Sequence, residues 1–279
     1  MAVALTTKPK DAILDAGLAT RDDVATLSQR LNEPAWLQAL RQTAWSIFEE
    51  TPMPTSSDED WRRTSLRKIK WNKFAFNSTS SIAPTQTLAD LPAEVQSALE
   101  AEYPASGRLV IANNRVVYHE LSPEIAEQGV LFTDLSTAVA QHPEIVQQYL
   151  GSEAVPPSND KFSALNSALW QAGAFLYLPK GVEIEEPFQV AYVLEGEGSI
   201  SMPRTLIVAE QSASANFIEE EVSLGEHGQA LNVGVVEVYA NEDARLRFVD
   251  VQRWGLDVYN FNIKRSVGRD DSTVTWETG

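Results

Sequence analysis

The second half of the chain alternates apolar and polar residues in short runs that return at a regular distance. Four runs between Phe175 and Gly279 follow one another at about thirty residues, within the period range of solenoid repeats. They cover 182–184, 213–217, 244–248 and 272–276. A second alternating run precedes each of them, at 175–178, 205–208, 233–239 and 259–263. Residues typical of turns join the paired runs, which predicts a β-sheet that coils on itself.

The same alternation predicts which side chains fill the coil. Strands of neighbouring rungs lie about 4.8 Å apart, and every second side chain points inward. We therefore expect stacked apolar ladders, in which each aliphatic side chain contributes about 1.5–3 kcal/mol when fully buried. The residues assigned to this interior are Leu176, Leu206, Val208, Val236 and Val238.

Apolar residues near the N-terminus recur at three- and four-residue spacing, which predicts helices across 11–50. In the strongest of them Asn32 is the expected N-cap and Pro34 lies in the first turn. An acidic start followed by a basic run favours a further short helix at 58–69. The Ser-, Thr- and Pro-rich stretch 77–90 is typical of a linker.

The middle of the chain mixes both patterns. A helix is predicted at 92–103, followed by a hairpin around Asn113 and Asn114, which tolerate the positive φ of a tight turn. A short helix begins at Ser122-Pro123, and the run 130–132 is strand-like.

Together these patterns predict a mixed α+β fold in which a coiled β-sheet, or solenoid, follows a helical region and a small α/β segment. The predicted divisions are an N-terminal helical region with a linker (1–91), a small mixed α/β segment (92–157) and a β-helix core that is incomplete at its C-terminal end (158–279).

Composition narrows the chemistry of the chain. Its 279 residues include no cysteine, so alone it offers no disulfide, thiolate nucleophile or cysteine-ligated metal or cluster. The formal charge is −17, which argues against binding to nucleic acid. Neither a signal peptide nor an apolar run of about eighteen residues is visible, so we expect a protein that does not enter a membrane. The expected location is the cytoplasm, and an organelle reached after processing is the alternative.

The search for chemistry-bearing motifs is largely negative. The sequence contains no phosphate loop, dinucleotide fingerprint, HExxH helix, nucleophile elbow or calcium loop. His227 could join Glu226 or Glu221 at a metal, but we interpret it as an ordinary loop histidine. We assign no catalytic residue and no metal ligand, and residues that bind a cofactor stay unknown.

Two acidic groups contain carboxylates that could pair as general acid and base. They are Glu183, Glu185 and Glu186 in the first group, and Glu219, Glu220 and Glu221 in the second. Repeated carboxylates are common on the solvent faces of acidic proteins, and we interpret both groups in that way.

A basic run interrupts the acidic sequence between Arg62 and Lys68. With Trp61 and Trp71 nearby, it could serve as a nucleic-acid or phosphate patch. In a strongly acidic protein such a run more often pairs with acidic groups of the same chain, and this is the interpretation that we adopt.

The last alternating run reaches Gly279 with no capping helix after it. An open sheet edge is a template for strand addition and has to be capped or bound. We expect the sequence to be a fragment of a longer protein, and an edge that meets a partner is the alternative.

Several short strings spread along the chain carry a family resemblance. They are 133–135 (TDL), 142–144 (HPE), 149–151 (YLG), 162–166 (FSALN), 173–181 (GAFLYLPKG) and 203–208 (PRTLIV). These strings resemble the SufB/SufD family of iron–sulfur cluster assembly proteins. The stretch 61–66 (WRRTSL) is similar to an N-terminal motif of the SufD branch. The absence of cysteine also fits SufD better than SufB, whose cluster-building role looks cysteine-dependent.

The resemblance implies a right-handed parallel β-helix, in a chain that is truncated before the family's C-terminal helical region. It implies a non-catalytic scaffold subunit that partners a SufB-type subunit and the SufC ATPase. ATP is then used by the partner ATPase, and the iron–sulfur cluster is assembled on the complex. A homodimer through the β-helix is a further assembly to consider. The resemblance transfers no cluster ligand to any residue of this chain.

Two functions from other classes stay open at this point. A β-helix enzyme that acts on polysaccharide is compatible with the repeated acidic and aromatic residues, although the helical first half fits it poorly. A structural solenoid such as an adhesin is disfavoured by the lack of a secretion signal.

Overall fold

The structure is a computed structural model, and it describes Ile13 and residues 16–99, 102–225 and 228–279. Helices dominate the first part of these ranges and strands the second. The helices are α1 (Arg21–Arg30), α2 (Ala35–Glu50), α3 (Ala93–Ala98), α4 (Pro123–Ala126), α5 (Leu135–Gln141), α6 (Pro143–Tyr149) and α7 (Lys161–Leu169). None of the described helices is long and apolar enough to cross a membrane.

The strands form two sheets. They are β1 (Gly107–Ala112), β2 (Arg115–Leu121), β3 (Leu131–Asp134), β4 (Gly173–Leu178), β5 (Phe188–Glu195), β6 (Ile200–Ser201), β7 (Arg204–Ala209), β8 (Ser214–Leu224), β9 (Ala230–Ala240), β10 (Arg245–Arg253), β11 (Val258–Gly268) and β12 (Thr273–Thr278). The first sheet has the order β12-β10-β8-β5-β1-β2, and the second has the order β11-β9-β7-β4-β3 with β6 beside β9.

From β4 onward the chain coils between the two sheets. Strands β5, β8, β10 and β12 pair in parallel in the first sheet, while β4, β7, β9 and β11 pair in parallel in the second. The result is a parallel β-solenoid of about three turns. The predicted mixed α+β fold with a solenoid after a helical region is thereby confirmed.

The corners of the coil repeat one backbone conformation. Gly181, Ser212, Asp243 and Asp271 all have positive φ, between 54° and 74°. Each lies at a joint where the sequence carries turn residues, and small or polar side chains tolerate this left-handed region best. The N–H groups of the first three donate to carbonyls of the next turn, so the corners stack like the strands.

An aromatic ladder runs through the inside of the first sheet. Phe188 pairs in register with Phe217, Phe217 with Phe248, and Phe248 with Trp276. The rings of Phe217 and Phe248 stack with centroids 5.4 Å apart, and Trp276 lies 4.8 Å from Phe248. Three of the predicted repeat runs therefore superpose through their aromatic positions.

The inward register predicted for the second sheet is correct for β4 and β9 and wrong for β7. Leu176, Val236 and Val238 belong to the apolar interior of the coil, as predicted. Leu206 and Val208 face outward instead and pack under α5 and α6. They are fully buried all the same, because helices cover the outer face of this sheet.

The helices cover the sheets from outside. Helices α1, α2 and α7 pack over the N-terminal part of β9, and α5 and α6 pack over β4, β7 and the rest of β9. Helix α3 covers the outer face of the first sheet. Strands β1 and β3, from the middle segment of the sequence, extend the two solenoid sheets through β5 and β4.

The hairpin predicted around Asn113 and Asn114 is confirmed, because β1 and β2 are antiparallel and both residues have positive φ. The cap predicted for α2 is wrong. Pro34 occupies the N-cap position without a side-chain hydrogen bond, and Asn32 adopts φ 49° in the turn that follows α1.

Two predicted helices are shorter in the structure. The run 58–69 forms only the 3₁₀ turns Glu59–Trp61 and Leu66–Lys68, and the helix predicted at 92–103 is α3 alone within the described residues. The part of the helical prediction before residue 16, apart from Ile13, lies outside the described residues.

Candidate functional site

Charged and amide side chains replace the apolar filling in one part of the coil interior. We call this set the interior polar cluster: Thr205, Glu219, Glu221, Asn232, Asp250, Asn260, Asn262 and Lys264. Strand alternation sets their direction. Glu219 and Glu221 continue the inward face of Phe217, and Asp250 continues that of Phe248.

Lys264 lies at the centre of the cluster. Its register partner is Val236, an interior residue, so its side chain enters the coil. The Nζ atom lies 2.8 Å from Glu219 Oε1, 2.7 Å from Asp250 Oδ1 and 3.8 Å from Glu221 Oε1. Burial alone would lower the pKa of Lys264, but the three carboxylates outweigh it and raise that pKa above its ordinary value.

Glu219 connects this centre to the previous turns of the coil. Its Oε2 atom accepts a hydrogen bond of 2.6 Å from Thr205 Oγ1, which lies 2.8 Å from the hydroxyl of Tyr192. Since the single hydroxyl proton of Thr205 goes to Glu219, Tyr192 is the donor to Thr205. The Ala174 N–H in turn donates to Tyr192. A buried hydrogen-bond chain thus runs from β4 to Lys264.

Glu221 is held by amides from the edge strand β11. Asn262 Nδ2 lies 2.6 and 2.7 Å from its two carboxylate oxygens. Asn262 Oδ1 accepts from Asn232 Nδ2 and from the Gly234 N–H. A Cβ at Gly234 would lie 2.3 Å from that oxygen, so the close approach of Asn262 requires glycine here.

Burial raises the pKa of Glu221 to about 8, with the neighbouring carboxylates Glu219 and Asp250 adding to the shift against the opposing effect of Lys264. At neutral pH the carboxyl group of Glu221 therefore holds its proton in the folded protein. Carboxylate oxygens of Glu219, Glu221 and Asp250 lie within 4.8 Å of one another, the donor type that hard cations prefer. Lys264 already supplies a positive charge among them, so the arrangement is a proton-holding polar core.

Glu221→Gln is expected to flatten the dependence of stability on pH. The folded-state pKa of about 8 exceeds the ordinary value of 4.5, so the unfolded chain releases this proton first as pH rises. The free energy of unfolding of the parent should therefore fall between about pH 5 and 8, by up to about 1.4 kcal/mol per pH unit. The measurement is urea unfolding at pH 5, 6, 7 and 8.

The matched control for that experiment is Glu183→Gln, because Glu183 is exposed and lies outside the cluster. This control should follow the parent at every pH, whereas Glu221→Gln should be the more stable protein at pH 8. Parallel pH curves for the parent and Glu221→Gln would contradict the proton-holding role.

A second buried ionic group lies on the outer face of the second sheet. Arg204 donates from Nε and Nη2 to Glu237 Oε2, at 2.9 and 2.7 Å, and both side chains are almost fully buried. Its Nη1 atom donates to Asn166 and Ser167 of α7. Glu237 also accepts from the Gly151 N–H. This group joins α7 and the loop after α6 to the coil.

The solvent-face interpretation of the acidic groups holds for one of them and is wrong for the other. Glu183, Glu185 and Glu186 are exposed. The side chains of Glu219 and Glu221 are buried inside the coil, and Glu220 is buried on the opposite face beside Arg253. Two of the three residues considered as metal ligands, His227 and Glu226, lie outside the described residues. The third, Glu221, belongs to the interior polar cluster.

The sequence analysis predicts no function for Asp250, Asn262 and Lys264. Two signals were available. Asp250 lies two residues after the interior Phe248 on the same strand, and Lys264 pairs with the interior Val236 of the neighbouring strand. The basic run also differs from the interpretation adopted for it. Arg62 reaches only Glu59, at 3.5 Å, and Arg63 and Arg67 form no ion pair in the described part of the chain.

Comparison with known proteins covers nearly the whole chain. The family model described as "SufBD protein N-terminal region" matches residues 25–190, and the model "SUF system FeS cluster assembly, SufBD core domain" matches residues 192–279. Iron–sulfur cluster assembly SufBD family proteins of Staphylococcus epidermidis and Staphylococcus haemolyticus are each 29% identical over 267 residues. A Staphylococcus aureus relative is 28% identical over 267 residues. Each alignment covers 93% of this chain and 56% of the relative, so the chain spans about half the length of the curated relatives it matches.

Proposed function

This chain belongs to the SufBD family of iron–sulfur cluster assembly proteins, and we propose that it is a non-catalytic, SufD-type scaffold subunit of the assembly complex. Its partners in this proposal are a SufB-type subunit and a SufC-type ATPase. The observation that carries the proposal is the match of both family models, in order, along one chain. The cluster is the cargo of the complex, and ATP is used by the partner ATPase.

The SufD-type role is supported by the composition of the chain. A subunit on which iron and sulfide are assembled needs soft thiolate ligands, and this sequence contains no cysteine. The residues of this chain supply no thiolate, and we assign that contribution to the SufB-type subunit, which gives this chain a supporting role.

The non-catalytic role is supported by the interior polar cluster. Its carboxylates are the buried candidates for acid and base chemistry, yet Glu219 and Asp250 contact Lys264, and Glu221 contacts Asn262. These groups satisfy one another inside the coil, where they stabilise one arrangement of the strands.

Co-expression of the full-length protein with SufB-type and SufC-type partners tests the assembly. We expect the three chains to co-purify at physiological salt through affinity and size-exclusion steps. Recovery of the protein only as a monomer, or only as a dimer of itself, would contradict the proposed complex.

A separate measurement tests whether the isolated chain assembles a cluster. Anaerobic incubation with iron and sulfide should give cluster absorbance with the complex and none with this chain alone. Stable cluster absorbance on the isolated chain would overturn the supporting role while leaving family membership intact.

A further inference from the structure

An open cavity of about 450 Å³ lies beside the two 3₁₀ turns that follow α2. We call it the arginine cavity. Its described lining residues are Pro54, Thr55, Ser56, Arg62, Arg63, Thr64, Ser65, Leu66 and Arg67. Three arginines and four residues that carry a hydroxyl group thus line one space of the size that small-molecule sites have.

The charge of this lining is opposite to that of the chain. The whole protein carries −17, but no carboxylate is among the described residues that line the cavity. Arg62 has Glu59 at 3.5 Å, with both side chains mostly exposed, so this pair contributes little. Arg63 and Arg67 make neither a hydrogen bond nor an ion pair in the described ranges. An anion would relieve the repulsion among these cations.

The turn that forms one wall of the cavity is held in place by the carboxylate of Asp58. Asp58 Oδ2 accepts from the Thr55 N–H at 2.7 Å and from Thr55 Oγ1 at 3.1 Å. The Ser57 N–H donates to Thr55 Oγ1. Asp58 therefore stabilises the turn that places residues 54–56 along the cavity.

Apolar and aromatic contacts hold the arginine segment at both ends. Trp61 stacks on Phe162 of α7 with ring centroids 5.3 Å apart, and it lies 5.6 Å from Phe261 of β11. After the segment, Ile69 and Trp71 are buried in the same apolar cluster. Because both ends are anchored, the guanidinium groups are presented by a positioned backbone, which lowers the entropy lost on binding.

We propose that the arginine cavity binds a diphosphate group, either as inorganic pyrophosphate or as part of a nucleoside diphosphate. The planar guanidinium fork matches phosphate oxygens in pairs, and the hydroxyls of Thr55, Thr64 and Ser65 are further donors. Three cations suit the charge of two linked phosphates. The acidic remainder of the chain repels a long polyanion, which excludes nucleic acid as the ligand.

Calorimetric titration at 150 mM salt tests the proposal with two probes, pyrophosphate and ADP. We expect saturable one-to-one binding of pyrophosphate. Equal affinities for the two probes assign recognition to the diphosphate, and tighter binding of ADP adds a contribution from the attached nucleoside. Absence of saturable binding by both probes overturns the proposal.

Variants locate the site. Arg63→Gln with Arg67→Gln should weaken pyrophosphate binding at least tenfold. Arg63→Lys with Arg67→Lys should bind pyrophosphate with an intermediate affinity, because lysine keeps the positive charge but lacks the planar guanidinium group. The matched control is Arg265→Gln, an exposed arginine of β11 outside the cavity lining. A loss as large in the control as in the double variant overturns the site.

Protection of the unaltered protein gives a readout that needs no variant. Phenylglyoxal labels accessible arginines, and mass spectrometry reports each site separately. Pyrophosphate should slow labelling of Arg63 and Arg67 at least fivefold and leave Arg265 unchanged. Equal labelling of Arg63 and Arg67 with and without pyrophosphate counts against the proposal.

Discussion

Replacement of Arg204 by methionine is expected to lower the free energy of unfolding by about 3–5 kcal/mol, the effect of leaving one partner of a buried ion pair alone. Glu237 would keep the hydrogen bond from the Gly151 N–H but lose both hydrogen bonds from the guanidinium group, in a fully buried position. Burial already raises the pKa of Glu237 above its ordinary value even with Arg204 beside it. Urea unfolding at pH 7, followed by tryptophan fluorescence, measures the loss.

The control for this variant removes the second charge as well. Arg204→Met combined with Glu237→Leu should recover most of the lost stability, because a buried ion pair and an apolar pair of similar volume are often close in free energy. If the single variant unfolded within about 1 kcal/mol of the parent, the buried pair would not be the joint between α7 and the coil.

The coil itself could be predicted because its signals are local. Turn residues mark each corner, and Ser212, Asp243 and Asp271 adopt the positive φ that such residues tolerate. The aromatic positions Phe217 and Phe248 recur at the repeat distance and stack in the structure. Neither feature depends on what packs against the outside of the sheets.

Which face of a strand points into the coil could not be predicted where both faces are buried. Every residue of β7 is buried, so alternation gives no contrast between the interior and the helix-covered side. Leu206 and Ile207 are equally apolar, and only pairing of Ile207 with Leu176 and Val238 places Ile207 inside. The assignment of Leu206 to the interior fails for this reason.

The interior polar cluster was missed because it depends on register across several strands. Glu219, Asp250 and Lys264 lie on three different strands, and their residue types alone do not distinguish them from solvent-facing charges of an acidic protein. Parity with Phe217 and Phe248 points two of them inward, but their convergence on one ammonium follows only from the pairing of β8 with β10. The arginine cavity likewise includes a turn that depends on a specific contact, the hydrogen bond from the Thr55 N–H to Asp58.

Lys264→Met is expected to lower the free energy of unfolding by about 3–5 kcal/mol at pH 8, since it leaves the carboxylates of Glu219 and Asp250 buried without their cation. Acidification neutralises buried carboxylates that have lost their cation, and this relieves the cost of burying them.

The deficit of Lys264→Met relative to the parent should therefore shrink as pH falls from 8 towards 5, when measured by urea unfolding at each pH. Adding Glu219→Gln and Asp250→Asn supplies the matched control, because the triple variant keeps the side-chain volumes and buries no unpaired charge. It should regain stability at pH 8 and lose the pH dependence of the deficit. A deficit of constant size from pH 5 to 8 in Lys264→Met would mean that lost packing of the lysine stem, and not the stranded carboxylates, accounts for the effect.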